Sequence, residues 1–389
     1  MYNFKTKYWA NLALVVCLLF VNQPIRSQFV VSPANASKTS ESAGFYYSLP
    51  RQVIKVDFVI EQTKRFKGPY SDFSSKILGV DNYISKDETK YSLVDVIIST
   101  VTEPDPQATF YVEFDEKASK DAKSLVFNLA SDGIILGAND VDIQTQLEST
   151  TITKTLVNSY ENKDFKYFAE SNLYQKIDTI VRKITIDTTT IKRNILQSSW
   201  VDRSPEQKAR AAAEYIHKIR ESRFNLLTGY QEVSYGNSIT YMDEKLREME
   251  DDYLSLFLGK EIKTLIQQDV AYLPLKENTG EQPIAKYSES LGLVGLNSKA
   301  EPIIIEISPL GNTVAIAAEN KNSGQSKITN NLYYRIPENV IIKIIFKGNV
   351  LANESLLISQ LGSVSIAPMN KTRLIFDPNT GMVISVKRE

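Results

Sequence analysis

The chain has 389 residues, with 45 Lys and Arg against 46 Asp and Glu, one His and one Cys. No stretch gathers Lys and Arg as a phosphate-binding face requires, so nucleic acid is not an expected partner. A single His and a single Cys exclude His-rich or Cys-rich metal sites and any disulfide within one chain.

Lys5 and Lys7 precede an apolar run from Trp9 to Val21, followed by Asn22, Gln23, Pro24 and the small Ser27. Positive, apolar, then small and polar is the order of a secretory signal peptide. The apolar core is about a dozen residues, short of the roughly twenty that span hydrocarbon. Cleavage is expected near Ser27–Gln28, with residues 1–27 as the signal peptide and no transmembrane span afterwards. Loss of Lys5, Lys7 and Arg26 takes the formal charge from −1 to −4. Cys17 lies inside the apolar run. Val16 precedes it, where lipoprotein processing wants a Gly, Ala or Ser, and Leu18 to Val21 stay apolar. Lipidation is therefore rejected, and the mature chain has no thiol. About 360 residues remain, room for two or three domains at roughly 100–200 residues each.

Residues 28–43 (FVVSPANASKTSESAG) are small and polar and read as a flexible leader. An N-terminal β domain is expected over 44–140. In it Ile54, Val56, Phe58 and Ile60 alternate with Lys55, Asp57, Val59 and Glu61, the period of a half-buried strand. A loop or short helix follows from Gly68 to Gly79. A second alternating segment, Tyr91 to Val101, breaks at Glu103-Pro104-Asp105-Pro106. Thr109–Phe114 and Leu125–Leu129 are further strands, and Asp132-Gly133 turns the chain into Ile134–Leu136.

Residues 141–200 form a Thr- and Ser-rich connecting segment in which strands are expected without a readable register. Asp178-Thr179-Ile180 and Asp187-Thr188-Thr189 resemble short O-glycosylation acceptors, a pattern that also arises by chance.

A helical hairpin is expected over 201–260. Ser204-Pro205-Glu206-Gln207 is a capping box with Pro at the first helical position, and the helix should run to about Arg223, with Gly229 as the break. A second helix opens near Ser238 with an apolar stripe of Met242, Leu246, Met249, Tyr253 and Leu256. Gly259 closes it. From 261 to 389 a C-terminal, sandwich-like β domain is expected. Its strands are Ile303–Ile307, Val340–Phe346, Leu356–Ile358 and Val364–Ile366. A terminal hairpin follows, turning at Asp377-Pro378-Asn379-Thr380-Gly381. The fold class is thus α+β, mostly β: two β domains with a central helical hairpin. Tyr46-Tyr47-Ser48-Leu49-Pro50 is echoed by Tyr333-Tyr334-Arg335-Ile336-Pro337, each entering a strand, and either duplication or chance accounts for it.

Four stretches carry a family resemblance: Gly44 to Arg51, Ile219 to Gly229, Glu250 to Lys260 and Leu332 to Pro337. Together they resemble the domain-of-unknown-function family 4831, exported proteins of Bacteroidota. Leu258 departs from the small or hydroxylated residue expected before Gly259-Lys260. The resemblance implies export and transfers no catalytic residue.

Chemistry offers few handles. His217 sits mid-helix with no nucleophile motif, so a structural or solvent-facing role is expected. No phosphate-loop or dinucleotide glycine pattern occurs, and no cofactor or metal is expected. Glu248, Glu250, Asp251 and Asp252 crowd one helix and read as a solvated acidic face. Arg220, Arg223, Glu250 and Lys260 are the candidate pairing or interaction residues, since an Arg fork can hold a carboxylate at two points. Asp377-x-Asn379-x-Gly381 lacks the distal Glu of a calcium loop and is explained as a turn. The expectation is a non-enzymatic binding or assembly component of the cell envelope. It would sit in the periplasm or at the outer membrane, with an envelope protein as partner. A carboxylate-dependent glycan hydrolase and a cell-surface structural protein are the alternatives, and a glycan is the alternative ligand.

Overall fold

The structure, a computed structural model, describes residues 28–34, 43–114, 125–139, 164–168, 173–186, 189–230, 236, 238–313 and 327–388. The expected signal segment, Gln144–Thr155 and Asp187-Thr188 lie outside the described residues. The chain is α+β and mostly β, 58% strand and 19% helix. The strands are β1 (Phe29–Pro33), β2 (Gly44–Phe66), β3 (Glu88–Phe114), β4 (Phe127–Leu129), β5 (Ile135–Ala138), β6 (Leu173–Ile186), β7 (Thr189–Asp202) and β8 (Lys260–Tyr272). Then come β9 (Gly280–Ser288), β10 (Gly292–Val294), β11 (Glu301–Pro309), β12 (Ile328–Thr329), β13 (Asn331–Phe346), β14 (Asn349–Pro368), β15 (Thr372–Phe376) and β16 (Val383–Arg388). Helices α1 (Ser74–Leu78), α2 (Pro205–Thr228) and α3 (Ser238–Leu258) complete the elements.

Two five-stranded sheets, β12-β1-β3-β2-β8 and β10-β9-β11-β13-β14, stand with a four-stranded sheet, β16-β15-β5-β4, and a separate two-stranded ribbon, β6-β7. Strands from 44–140 and from 261–389 therefore lie side by side: β8 pairs with β2, and β15 with β5. Part of the expected leader is also a strand. Phe29 and Val31 alternate with Val30 and Ser32, so β1 turns its two largest side chains into the core, fully buried, between β3 and β12.

Two antiparallel hairpins, β2–β3 and β13–β14, run the length of the β body. Their inner faces supply two apolar cores. One gathers Tyr47, Leu49, Phe110, Val112, Leu332, Tyr333, Leu374 and Phe376. The other gathers Ile54, Val56, Phe58, Ile60, Ile303, Ile305, Val340, Ile342 and Ile344. Between the cores each hairpin bulges in the same way. Ser48 to Pro50 stand against Thr109 to Pro104, and Ile336 to Glu338 against Ser363 to Ile358. The expected break at Glu103–Pro106 is thus a bulge inside one continuous strand, the arrangement by which a sheet accommodates Pro. The Tyr-Tyr echo matches sequence one residue out of phase with this geometry. The prolines align Pro50 with Pro337, whereas the bulges align Pro50 with Glu338, and burial follows the bulges: Leu49 and Pro50 are buried, as are Pro337 and Glu338.

Candidate functional site

The expected helical hairpin forms. The Ser204 side chain accepts from the Gln207 amide at 3.3 Å, and Gln207 Oε1 accepts from the Ser204 amide at 2.8 Å. The helix runs one turn past Arg223 to Thr228, where Gly229, φ 70°, caps it. Ala209, Ala212, Ala213, Ile216 and Ile219 are buried against Tyr253, Leu256, Phe257 and Tyr70. The stripe of α3 differs from expectation at one position. Met249 is 38% exposed, and the neighbouring Glu250 takes the inward place.

Glu250 faces inward because α2 supplies its counter-charges. Arg220 Nε donates to Oε1 at 2.6 Å, and Arg223 Nη1 donates to Oε2 at 2.9 Å. Arg223 Nε also reaches Asp243 at 2.9 Å. Burial pushes the Glu250 carboxyl up, but the two arginines outweigh it and hold it below the usual carboxylate range. Three of the four candidate residues therefore meet in one ion-paired cluster that sets the helix register. Lys260 does not join them: its Nζ donates to the Asp164 carbonyl at 2.5 Å and lies over the Phe165 ring. Of the acidic face, Glu248 pairs with Lys245 and Asp252 with Lys166. His217 is exposed on α2. Of these groups Arg220, Arg223 and Glu250 tie the two helices to each other, while Asp252 and Lys260 tie the hairpin to the loop at 164–168.

A second polar cluster, unsignalled in the sequence, fills the bulges between the two β cores. Arg335 and Asp105, each about 5% exposed, form a buried ion pair, and Arg51 lies 4.0 Å from Asp105 while bonding Glu103 at 2.7 Å. Burial draws the Arg335 guanidinium below its ordinary value, and Asp105 opposes this. Gln52 accepts the Ser359 amide at 2.6 Å and exchanges main-chain and side-chain bonds with Gln360 at 3.0 and 2.7 Å. Glu338 accepts the amides of Asn312 and Thr313 at 2.8 and 3.0 Å. Burial raises its carboxyl, yet these donors leave it below the usual range. The Tyr47 hydroxyl accepts the Tyr333 amide at 3.0 Å, and burial drives its own ionisation far upward. Such a network satisfies main-chain groups that the bulges free from the ladder. Asp377 does the same at the last turn, accepting from Asn379 N and from Thr380 N and Oγ1.

Two surfaces face outward. A groove of about 520 Å³ crosses β3, β8 and β9 over Tyr91, Tyr287 and Phe346. Of its wall charges, Arg65 pairs with Glu261 at 2.8 Å, Lys263 with Glu61 at 3.2 Å and Lys90 with Glu88 at 3.5 Å. The other surface is the β6–β7 ribbon, fourteen residues in each strand, which joins no further strand among the described residues. Ile177, Val181, Leu196 and Trp200 are more than half exposed on it. Its antiparallel register sets Arg182 opposite Arg193 and Lys183 opposite Lys192. The opposed cations lie eleven and nine residues apart in the chain, so the four do not show as a cluster in the sequence. Asp178-Thr179 lies on this ribbon, with Asp178 paired to Lys176 at 3.1 Å.

Fold and surfaces together define a mostly β α+β protein with a protruding strand ribbon and an ion-paired helical hairpin. By the match of its family model over residues 43–384, the chain belongs to the family described as a domain of unknown function, DUF4831. No curated protein and no solved structure matches it. Among the described residues, no helix is long and apolar enough to cross a membrane.

Proposed function

We propose that this is an exported binding or assembly component of the cell envelope, acting in the periplasm or at the outer membrane through the β6–β7 ribbon. Export rests on the charge and hydropathy order of residues 1–27. One observation carries the binding role: the ribbon keeps Ile177, Val181, Leu196 and Trp200, 51–71% exposed, on an element with no covering layer among the described residues. A contiguous exposed apolar patch of this kind marks an interaction surface, and an isolated two-stranded hairpin is only marginally stable in water by itself. Trp is also among the residues enriched at interface hot spots.

The test is a mild-detergent pull-down of the tagged chain from envelope fractions, alongside a Leu196→Lys, Trp200→Lys variant. The expected result is a set of co-purifying envelope proteins that the variant loses. An unaccompanied wild-type chain, or one that keeps its leader and stays in the cytosol, overturns the reading.

A further inference from the structure

We propose that one face of the β6–β7 ribbon is a self-association surface, packing end for end on the same face of a second copy of this chain. The proposal rests on the reading of the ribbon as the binding element and names its partner.

Directly opposed residues of an antiparallel pair project from the same side. One side of the ribbon therefore carries, from base to tip, Leu173 with Asp202, Gln175 with Trp200, Ile177 with Ser198, Thr179 with Leu196, Val181 with Asn194, and Lys183 with Lys192. Leu173, Ile177, Val181, Leu196 and Trp200 are all on this side, 52, 62, 51, 71 and 70% exposed. Among the side chains described, the other side exposes one large apolar residue, Ile180: Tyr174, Ile195 and Val201 are half-buried there, beside Lys176, Asp178, Arg182, Arg193, Gln197 and Ser199. The apolar side has a built-in polarity of charge. Near its tip, before the Thr185–Thr190 pair, stand two opposed lysines, a like-charge pair that weakens a ribbon standing alone. Its base ends in Asp202. Neither lysine nor Asp202 makes an ion pair among the described residues.

A two-fold axis lying in the interface, across the strands, turns one copy face down on the other with its ends reversed. Lys183 and Lys192 then meet Asp202 of the second copy. The Gln175–Trp200 pair meets Val181–Asn194, setting the largest side chain against a smaller pair, and Ile177–Ser198 meets Thr179–Leu196. All five apolar chains are covered, and both charged ends gain an opposite charge. Stacked in the same direction, two copies would instead oppose four lysines. An acidic partner or an anionic surface would satisfy the lysines but would bring negative charge onto Asp202. The second copy is the occupant that matches both ends.

Analytical ultracentrifugation of the mature full chain, over about 1–200 µM, tests the proposal, with concentration-dependent mass as the readout. A reversible dimer is expected. Leu196→Lys should raise its dissociation constant at least about 100-fold. Lys183→Glu with Lys192→Glu should raise it at least about tenfold, and adding Asp202→Lys in the same chain should restore it to within about threefold. Circular dichroism of each variant separates lost association from lost folding. A monomer throughout the range, a dimer indifferent to these changes, or failure of the triple variant to recover overturns the proposal. A monomer that still captures envelope proteins through the ribbon defeats self-association alone. A dimer that captures none defeats the assembly reading alone.

Discussion

The ribbon β6–β7 and the long hairpins β2–β3 and β13–β14 are the same kind of element in opposite circumstances. In β2 every second residue from Ile54 to Ile60 is apolar and buried, and in β13 the same holds from Val340 to Ile344. Each of these strands has a further strand on its other edge, β8 on β2 and β11 on β13. On one side of the ribbon the apolar residues come at every fourth position, Ile177 and Val181 on one strand, Leu196 and Trp200 on the other, with Thr179 and Ser198 between. Half that density does not build a core, yet it leaves a face that water covers poorly. Pairing makes a hairpin; the density of its inner face decides whether the rest of the chain closes over it.

That contrast can be broken or sharpened by substitution. The largest loss is expected between the cores of the long hairpins. Asp105→Ala strands the Arg335 charge in a buried site and should cost about 3–5 kcal/mol. Denaturant titration measures it, and adding Arg335→Met should recover most of the loss. Next, Ile342→Ala empties a fully buried place and should cost about 2–5 kcal/mol. Leu196→Ala, measured on dilute protein, should stay within about 0.5 kcal/mol. Equal losses at the two sites would erase the distinction between walled and bare strands. The smallest effect concerns acid. The Glu250 carboxyl is held below its ordinary range in the folded chain, so the unfolded chain binds the proton more readily. Its contribution is complete above the unfolded carboxylate value and disappears as pH falls through the folded one. Glu250→Gln should therefore flatten the acid limb of stability, followed by circular dichroism during acid titration.

How much of this was legible depended on the range of the interaction. Capping chemistry is local, and Ser204 with Gln207, Gly229 and Gly259 marked helix ends that the structure reproduces. Turn chemistry is local too, as at Asp132-Gly133 and Asp377 to Gly381. Neighbourhood in a sheet is not: nothing near Lys260–Tyr272 announces that it pairs with β2, or that Phe29–Pro33 fills a gap beside β3. The arginine fork on Glu250 was readable because Arg220 and Arg223, three residues apart, share one face of α2. Lys260 was not, since its partner is a main-chain carbonyl on a distant loop. Nothing in the Tyr333–Pro337 stretch marks Arg335 for burial. Only the bulge, which shifts the inward phase by one residue, turns it toward Asp105. Trp200 and Leu196 carry no signal of their own in the sequence, because exposure is a property of what fails to cover them.

One feature of the β body reaches beyond any single contact. β2, β3, β13 and β14 each lend one half to the first apolar cluster and the other half to the second. Neither cluster owns a strand outright, so the backbone that frames one is the continuation of the backbone that frames the other. Loosening at either end must propagate along four shared girders. The β body therefore melts as one cooperative unit, although its greasy interior is divided in two.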